Sequence, residues 1–345
     1  MSRILYDRDR LYLFQRFNLR YGEKKSDRPG RAGESIVQAL KGRDFLSLLD
    51  LSPAELAELL ELAANMKSGK VTARCEKILG LLFSKASTRT RVSFSAAMYQ
   101  LGGQVMDLNP MVTQVSRGEP LQDTARVLDR YLDVLAIRTF AQADLETYAK
   151  YAEIPVINAL TDWAHPCQAL ADLMTIKECF GQFSGVTVSY FGDGNNVAHS
   201  LMLGCAMMGM NVRVATPPDY QPNGSVVGKA KTFAGDRSEV VVTTDAIAAA
   251  KGTHVLYTDV WASMGQEAEA DSRIPVFQPY QINSELLKYA DPEAIVLHCL
   301  PAHRGEEITD AVIEGDQSRV WDQAENRMHA QKALLASVLG ATFEG

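Results

Sequence analysis

The stretch Phe83-Ser84-Lys85-Ala86-Ser87-Thr88-Arg89-Thr90-Arg91 lies where an apolar run meets an amphipathic one. The run Ile78-Leu79-Gly80-Leu81-Leu82-Phe83 reads as a buried strand, and Val92-Ser93-Phe94-Ser95-Ala96-Ala97-Met98-Tyr99 has helical spacing. Between them, Ser87, Thr88, Arg89 and Thr90 supply three hydroxyls, one guanidinium and a row of backbone N–H groups at a helix start. A helix N-terminus attracts anions through its free N–H groups and its dipole. A guanidinium and hydroxyls added there make a cradle for a tetrahedral oxyanion without a glycine-rich loop. The same residues also read as an N-cap with a solvated arginine.

Outward from this stretch, short apolar runs alternate with helical ones. Ser52-Pro53-Ala54-Glu55 is a helix start, with Ser as N-cap, Pro at N1 and Glu at N3. Candidate strands follow at Ile78–Phe83, Gln104–Met106, Val134–Ile137 and Val156–Asn158. After a long helix from His165 to about Phe180, a second series runs through Val186–Phe191, Asn211–Ala215, Glu239–Thr243, Val255–Thr258 and Ala294–Leu297. Near-continuous apolar strands alternating with helices mean parallel sheets covered on both faces. The expected fold is therefore α/β, with two domains, each a central parallel sheet flanked by helices. The expected divisions are an extension at 1–38, a first domain at 39–164, a linking helix at 165–180, a second domain at 181–325 and a closing segment at 326–345. In open parallel sheets, ligands sit beyond the carboxyl ends of the strands. Ser87–Thr90, Arg138, Asn196, Asp259 and Cys299 each follow a candidate strand, which places one active site in an interdomain cleft.

The 345 residues suffice for two ordinary domains, and 46% hydrophobic with 22% charged residues is the balance of a globular enzyme. A net charge of −7 implies no general affinity for nucleic acid, so any phosphate site is a local positive pocket. No apolar run approaches the roughly 20 residues that cross a bilayer. The scattered Cys75, Cys167, Cys179, Cys205 and Cys299 suggest a reducing compartment, and a cytoplasmic location is expected. Met1–Glu34 is rich in Arg and Tyr but has no apolar core for a secretory signal; Asp7, Asp9, Glu23 and Asp27 oppose a transit peptide.

Single residues carry further chemistry. Arg138, at a strand's end, is either a salt-bridge partner or a guanidinium aimed at a carbonyl or phosphoryl oxygen. His165 precedes Pro166 at N1 of the linking helix, where the cationic form is disfavoured. It reads as a surface cap or as a neutral donor. Gly192-Asp193-Gly194-Asn195-Asn196-Val197 resembles a dinucleotide turn, but Val197 stands where that fingerprint wants a third Gly or Ala. Asp259 caps a turn or meets an ammonium group. Cys299 is an inert thiol or a group that helps orient and deprotonate an amine. His298, Cys299 and His303 lack a second ligand pair at metal spacing, so no metal is expected.

Five segments together resemble the aspartate/ornithine carbamoyltransferase family, in the expected order. They are Ser87-Thr88-Arg89-Thr90-Arg91-Val92-Ser93-Phe94, His165-Pro166-Cys167-Gln168, Gly192-Asp193-Gly194-Asn195-Asn196, Asp259-Val260-Trp261-Ala262-Ser263-Met264-Gly265 and His298-Cys299-Leu300-Pro301. The likeness runs from about Leu40 to the C-terminus, and its last two segments point to the ornithine branch. It implies transfer of the carbamoyl group of carbamoyl phosphate to ornithine in arginine biosynthesis, with no cofactor. It implies a carbamoyl-phosphate set of Ser87, Thr88, Arg89, Thr90, Gln114, Arg138, His165, Pro166, Cys167, Gln168, Cys299, Leu300 and Arg327. Gln114 is implied to reach the phosphate of an adjacent subunit. The ornithine set is Asn196, Asp259, Ser263 and Met264, and the catalytic groups are Cys299, Arg138, His165 and Asp259. A homotrimer, or a multiple of trimers, is also implied, as is a last helix, about Asn326 to Leu339, that packs back on the first domain. Ser84 stands where many members carry an acidic residue, which weakens an ion pair to the arginine-bearing loop.

Overall fold

The computed structural model describes residues 33–109, 113–262 and 269–344. Helices α1 (Glu34–Leu40) and α2 (Pro53–Lys67) precede β1 (Thr72–Arg74), β2 (Ile78–Phe83), α3 (Thr88–Gln100), β3 (Gln104–Leu108), α4 (Leu121–Leu128), β4 (Val134–Arg138), α5 (Gln142–Tyr151) and β5 (Val156–Leu160). Helix α6 (Pro166–Phe180) leads to β6 (Thr187–Phe191), α7 (Asn196–Met207), β7 (Asn211–Ala215), α8 (Gly224–Ala234), β8 (Val240–Thr243), α9 (Ala246–Ala250) and β9 (Val255–Thr258). Then come α10 (Ala270–Phe277), α11 (Ser284–Leu287), β10 (Ile295–His298), α12 (Asp310–Ile313), α13 (Val320–Leu339) and β11 (Thr342–Glu344).

The first sheet has the order β3-β2-β4-β5 and the second β10-β9-β6-β7-β8, with every pairing parallel. Strands β4, β6 and β9, and the edge strand β5, are buried along their whole length. Such strands must be apolar on both faces, which is why they read as continuous runs rather than alternating ones. The start of α2 carries both halves of its capping box: Glu55 N–H donates to Ser52 Oγ at 3.2 Å and Ser52 N–H to Glu55 Oε2 at 2.7 Å. Helix α6 has Pro166 at N1 and stops at Gly181, whose φ of 72° few L-residues adopt.

Several strands differ from their expected bounds by one or two residues, and three larger differences stand out. Ile36, Val37 and Leu40 are buried in α1, which packs on α2 and α13, so a boundary at 38 cuts through a docked helix; residues 1–32 lie outside the described residues. Helix α13 starts at Val320, six residues before the expected Asn326, and packs against α6, α3 and α2. Strand β11 pairs antiparallel with β1, Thr72 opposite Glu344. Three-residue strands are too short for alternation to reveal.

Candidate active site

Sheet register assembles the site. Phe83 pairs with Arg138, so the loop after β2 lies beside the end of β4. Thr258 pairs with His298, so Asp259 and Cys299 emerge side by side.

On the first side, Ser87 caps α3 by accepting from Thr90 N–H at 3.3 Å. Arg91 turns away to pair with Asp107 on β3. Buried Arg327, from α13, donates through Nη2 to Thr90 Oγ1 at 2.9 Å and through Nη1 to Gln168 Oε1 at 2.8 Å. Arg138 is also buried. Burial first, then the guanidiniums of Arg327 and Arg89, lowers the Arg138 pKa to about 10. Burial likewise lowers that of Arg327, with Arg89 adding repulsion. Three guanidiniums held together against their own repulsion form a field suited to a phosphate dianion.

His165 is the N-cap of α6, but it is buried rather than a surface cap. Desolvation, then Arg327, Arg138 and Arg89, holds its pKa well below 6.5, so the ring is neutral. Its Nε2 lies 3.5 Å from Arg327 Nη1. A guanidinium only donates, so Nε2 accepts and the proton resides on Nδ1. That Nδ1 is buried without a protein partner. It is a neutral N–H donor suited to a carbonyl oxygen.

On the second side, the Cys299 thiol donates to Asp259 Oδ1 at 2.9 Å and Asn195 Nδ2 to Asp259 Oδ2 at 3.0 Å. Burial, then Asp259, pushes the thiol pKa well above its ordinary 9.0. Cys299 is therefore a protonated donor to Asp259. Asn196 Nδ2 donates to Thr161 O at 2.5 Å. Arg273 bonds Asp193 Oδ2 at 2.8 Å, Trp261 O at 2.8 Å and Glu269 Oε2 at 3.0 Å, bracketing the segment 263–268. Ser263 and Met264 fall in that segment and lie outside the described residues.

Other expected residues lie differently. The Cys167 thiol is turned into the core toward Asn158 O at 3.4 Å, so only its main chain can face a ligand. Pro166 offers the same. Leu300 adopts φ 55° and donates its N–H to His298 Nδ1 at 2.8 Å. Gln114 is exposed on a short 3-10 helix, by a cavity of about 340 Å³ shared with Leu82, Leu108, Glu119 and Thr124, and is not among the hydrogen-bonded arginine cluster.

Asp259, His298 and Cys299 approach closely enough to hold a cation between them. Both ring nitrogens of His298 are engaged, however, Nδ1 by Leu300 N–H and Nε2 by Glu307 Oε1 at 2.9 Å. The dinucleotide reading fails on packing. A Cβ on Gly194 would lie 2.3 Å from Pro222 N, so this glycine serves backbone packing. The N–H groups of Val197 and Ala198 at the start of α7 are already bonded by Asn195 Oδ1.

The residues gather an anion-binding half and a carboxylate-bearing half, each at the strand ends of one parallel sheet, and the family comparison divides the chain into the same two parts. Residues 43–178 match the model for the carbamoyl-P binding domain of aspartate/ornithine carbamoyltransferases, and residues 184–338 that for the Asp/Orn binding domain. The chain belongs to the aspartate/ornithine carbamoyltransferase family. It is 72% identical to an ornithine carbamoyltransferase of Nostoc punctiforme over 88% of this chain and 100% of that one. Solved structures agree. The ornithine carbamoyltransferase of Gloeobacter violaceus superposes with TM-score 0.80 at 58% identity, over 86% of this chain and 98% of that one. The Pyrococcus furiosus enzyme gives 0.83 at 51% identity, over 87% and 98%.

Proposed function

We propose that this protein transfers the carbamoyl group of carbamoyl phosphate to the δ-amine of L-ornithine, giving L-citrulline and phosphate, as a step of arginine biosynthesis. The observation that carries the reading is the convergence of Arg89, Arg138 and Arg327 with neutral His165, facing Asp259 and Cys299 across the cleft. In this reading the part at 39–164 binds carbamoyl phosphate, that at 181–325 binds ornithine, 165–180 links them and 326–345 packs back on the first.

Ser87, Thr88, Arg89 and Thr90 cradle the phosphate with Arg327, and Gln114 of an adjacent subunit completes it. Arg138 and His165 Nδ1–H polarise the carbamoyl oxygen, and Gln168 Oε1 accepts from the carbamoyl amino group. The main chain of Pro166, Cys167, Cys299 and Leu300 lines the site. The ornithine α-ammonium meets Asp259, aligned by the Cys299 thiol and Asn195; Asn196, Ser263 and Met264 hold the rest. The neutral δ-amine attacks the carbonyl carbon, and donors already in place stabilise the oxyanion. The C–O bond to phosphate breaks, and the amine's surplus proton leaves with hydrogen phosphate. The resemblance to the family further supports a homotrimer, or a multiple of trimers, working in the cytoplasm. No described helix is long and apolar enough to cross a membrane.

The test is citrulline formation from carbamoyl phosphate and L-ornithine, with aspartate and putrescine run in parallel. Turnover with ornithine alone supports the reading. Turnover only with another amine overturns the roles of Asp259, Ser263 and Met264.

A further inference from the structure

Gln168 and Asp172 lie one turn apart on α6, and Gln323 and Arg327 one turn apart on α13. The two pairs face one another, and their polar contacts form a buried chain that the two helix backbones close into a ring. Gln168 Nε2 donates to Asp172 Oδ1 at 2.8 Å, and Gln323 Nε2 donates to the same oxygen at 2.7 Å. Arg327 Nη1 donates to Gln168 Oε1 at 2.8 Å. Gln323 Oε1 accepts from His298 N–H, the residue before Cys299, at 2.9 Å. Asp172 is 1% exposed and its Oδ2 is buried without a partner.

This ring leaves each amide one orientation. A guanidinium can only donate, and Asp172 Oδ1 accepts from both amides whether the carboxyl, pushed up to about 7 by burial, is ionised or protonated at Oδ2. Gln168, between Arg327 and Asp172, must turn its oxygen toward Arg327 and the cleft, and its nitrogen away. Gln323, between a backbone N–H and Asp172, is fixed the same way. Without Asp172, the Gln168 nitrogen loses its acceptor and only the Arg327 contact resists reversal of the amide, which would place a donor in the cleft. That arrangement suits an acyl group lacking an amino group at least as well.

We propose that Asp172 is a positioning residue that locks the Gln168 amide with its oxygen toward the cleft, and so helps the site choose a carbamoyl group over an acyl group without an amino function. This rests on the carbamoyl-transfer reading. Asp172 itself touches no reacting atom. Its carboxyl group does two jobs, setting the acceptor for one substrate and holding the Gln323 amide of α13, whose oxygen accepts from His298 N–H beside Cys299. Burial of a carboxylate is costly, and nothing in the packing of α6 alone calls for one at this position.

The probes are carbamoyl phosphate and acetyl phosphate, in which a methyl group replaces the amino group. The readout is the ratio of the acetyl phosphate inhibition constant to the carbamoyl phosphate dissociation constant. In the native enzyme the ratio is expected at roughly tenfold or more, because a site built to bond an amino group rejects an analogue lacking it. Asp172→Leu is expected to bring the ratio close to one. Asp172→Asn keeps one acceptor oxygen for both glutamines and is expected to retain the native ratio. A purely structural role lowers stability in Asp172→Leu but leaves the ratio unmoved, and that result overturns the proposal. So does an Asp172→Asn ratio that collapses. If Asp172→Leu does not fold, the native enzyme and Asp172→Asn decide: a native ratio near one, or a collapsed Asp172→Asn ratio, overturns the proposal, and a high ratio in both supports it. Native enzyme that forms no citrulline from carbamoyl phosphate and ornithine indicts the functional reading instead.

Discussion

Replacing Arg327 by Met keeps much of the side chain's volume and removes its guanidinium. Gln168 Oε1 and Thr90 Oγ1 then lose donors now at 2.8 and 2.9 Å. Charged hydrogen bonds of this kind contribute about 1.5–3 kcal/mol each. Against that loss, a buried cation and its repulsion with Arg89 and Arg138 disappear. Removing a buried cation relieves its desolvation cost, which offsets part of the lost bonds. The fold should therefore survive with a small change in melting temperature. Binding has no such offset. A phosphate dianion loses one of three guanidiniums, and a single charged bond of about 1.5–3 kcal/mol corresponds to roughly 10- to 150-fold in Kd. Calorimetric titration with carbamoyl phosphate, beside thermal denaturation of the same sample, measures both quantities. A folded variant whose Kd stays within about threefold of native, well under one charged bond, refutes the placement of Arg327 at the phosphate.

Cys299→Ala removes the thiol donor to Asp259 and should lower turnover about tenfold, the worth of one such bond, while the carbamoyl phosphate Kd is unchanged. Cys299→Ser should recover most of the loss, because a hydroxyl also donates; equal losses in both variants sink the donor role. The rate should rise with pH as the bound δ-amine loses its proton, and a flat profile shows that this proton does not control turnover. His165 has a folded pKa well below 6.5, so between the two values the unfolded chain binds more protons. Its contribution makes stability rise with pH across that window and is complete above 6.5; chemical denaturation of His165→Asn should show a shallower acid slope, and an unaltered slope contradicts a neutral buried imidazole. Arg273→Leu removes the guanidinium from partly buried Asp193, a loss of about 1.5–3 kcal/mol for the charged bond, and should raise the ornithine KM alone; a parallel rise in the carbamoyl phosphate Kd argues against a role confined to the ornithine side.

Much of this was legible because parallel strands buried on both faces must be continuous apolar runs. Ile78–Phe83 and Val255–Thr258 are legible to the residue for that reason, whereas Asn211–Ala215 alternates, with Asn211 and Arg213 half-buried. Ser87–Thr90, Arg138, His165, Asp259 and Cys299 stood out because each follows, ends or caps an element whose type was plain. Other features lacked a local signal. The early start of α13 has no side-chain cap at Arg319 to mark it. Asp172 and Gln323 look like solvated polar residues within helices, and only the meeting of two i,i+4 pairs from distant segments gives them meaning. Of two adjacent asparagines, Asn195 both caps α7 and holds Asp259, a choice that follows from how the turn packs on Pro222. Arg273 gains its partners from Asp193 and Trp261, far from it in sequence.

The charge arrangement also bears on the order of events. Ornithine enters with two ammonium groups and one carboxylate, toward a cleft where Arg89, Arg138 and Arg327 already repel one another. At an effective dielectric constant near 20, one pair of like charges 4 Å apart costs about 4 kcal/mol. A phosphate dianion reverses that field at the place where the δ-amine must arrive. Neutral His165 adds no further positive charge, yet still offers its N–H to the carbonyl oxygen. The same dianion supplies a nearby base for the proton the attacking amine sheds. The cleft's electrostatics thus predict that carbamoyl phosphate binds first and supplies the counter-charge without which ornithine is repelled; ornithine binding equally tight with and without carbamoyl phosphate, measured by calorimetry, would contradict it.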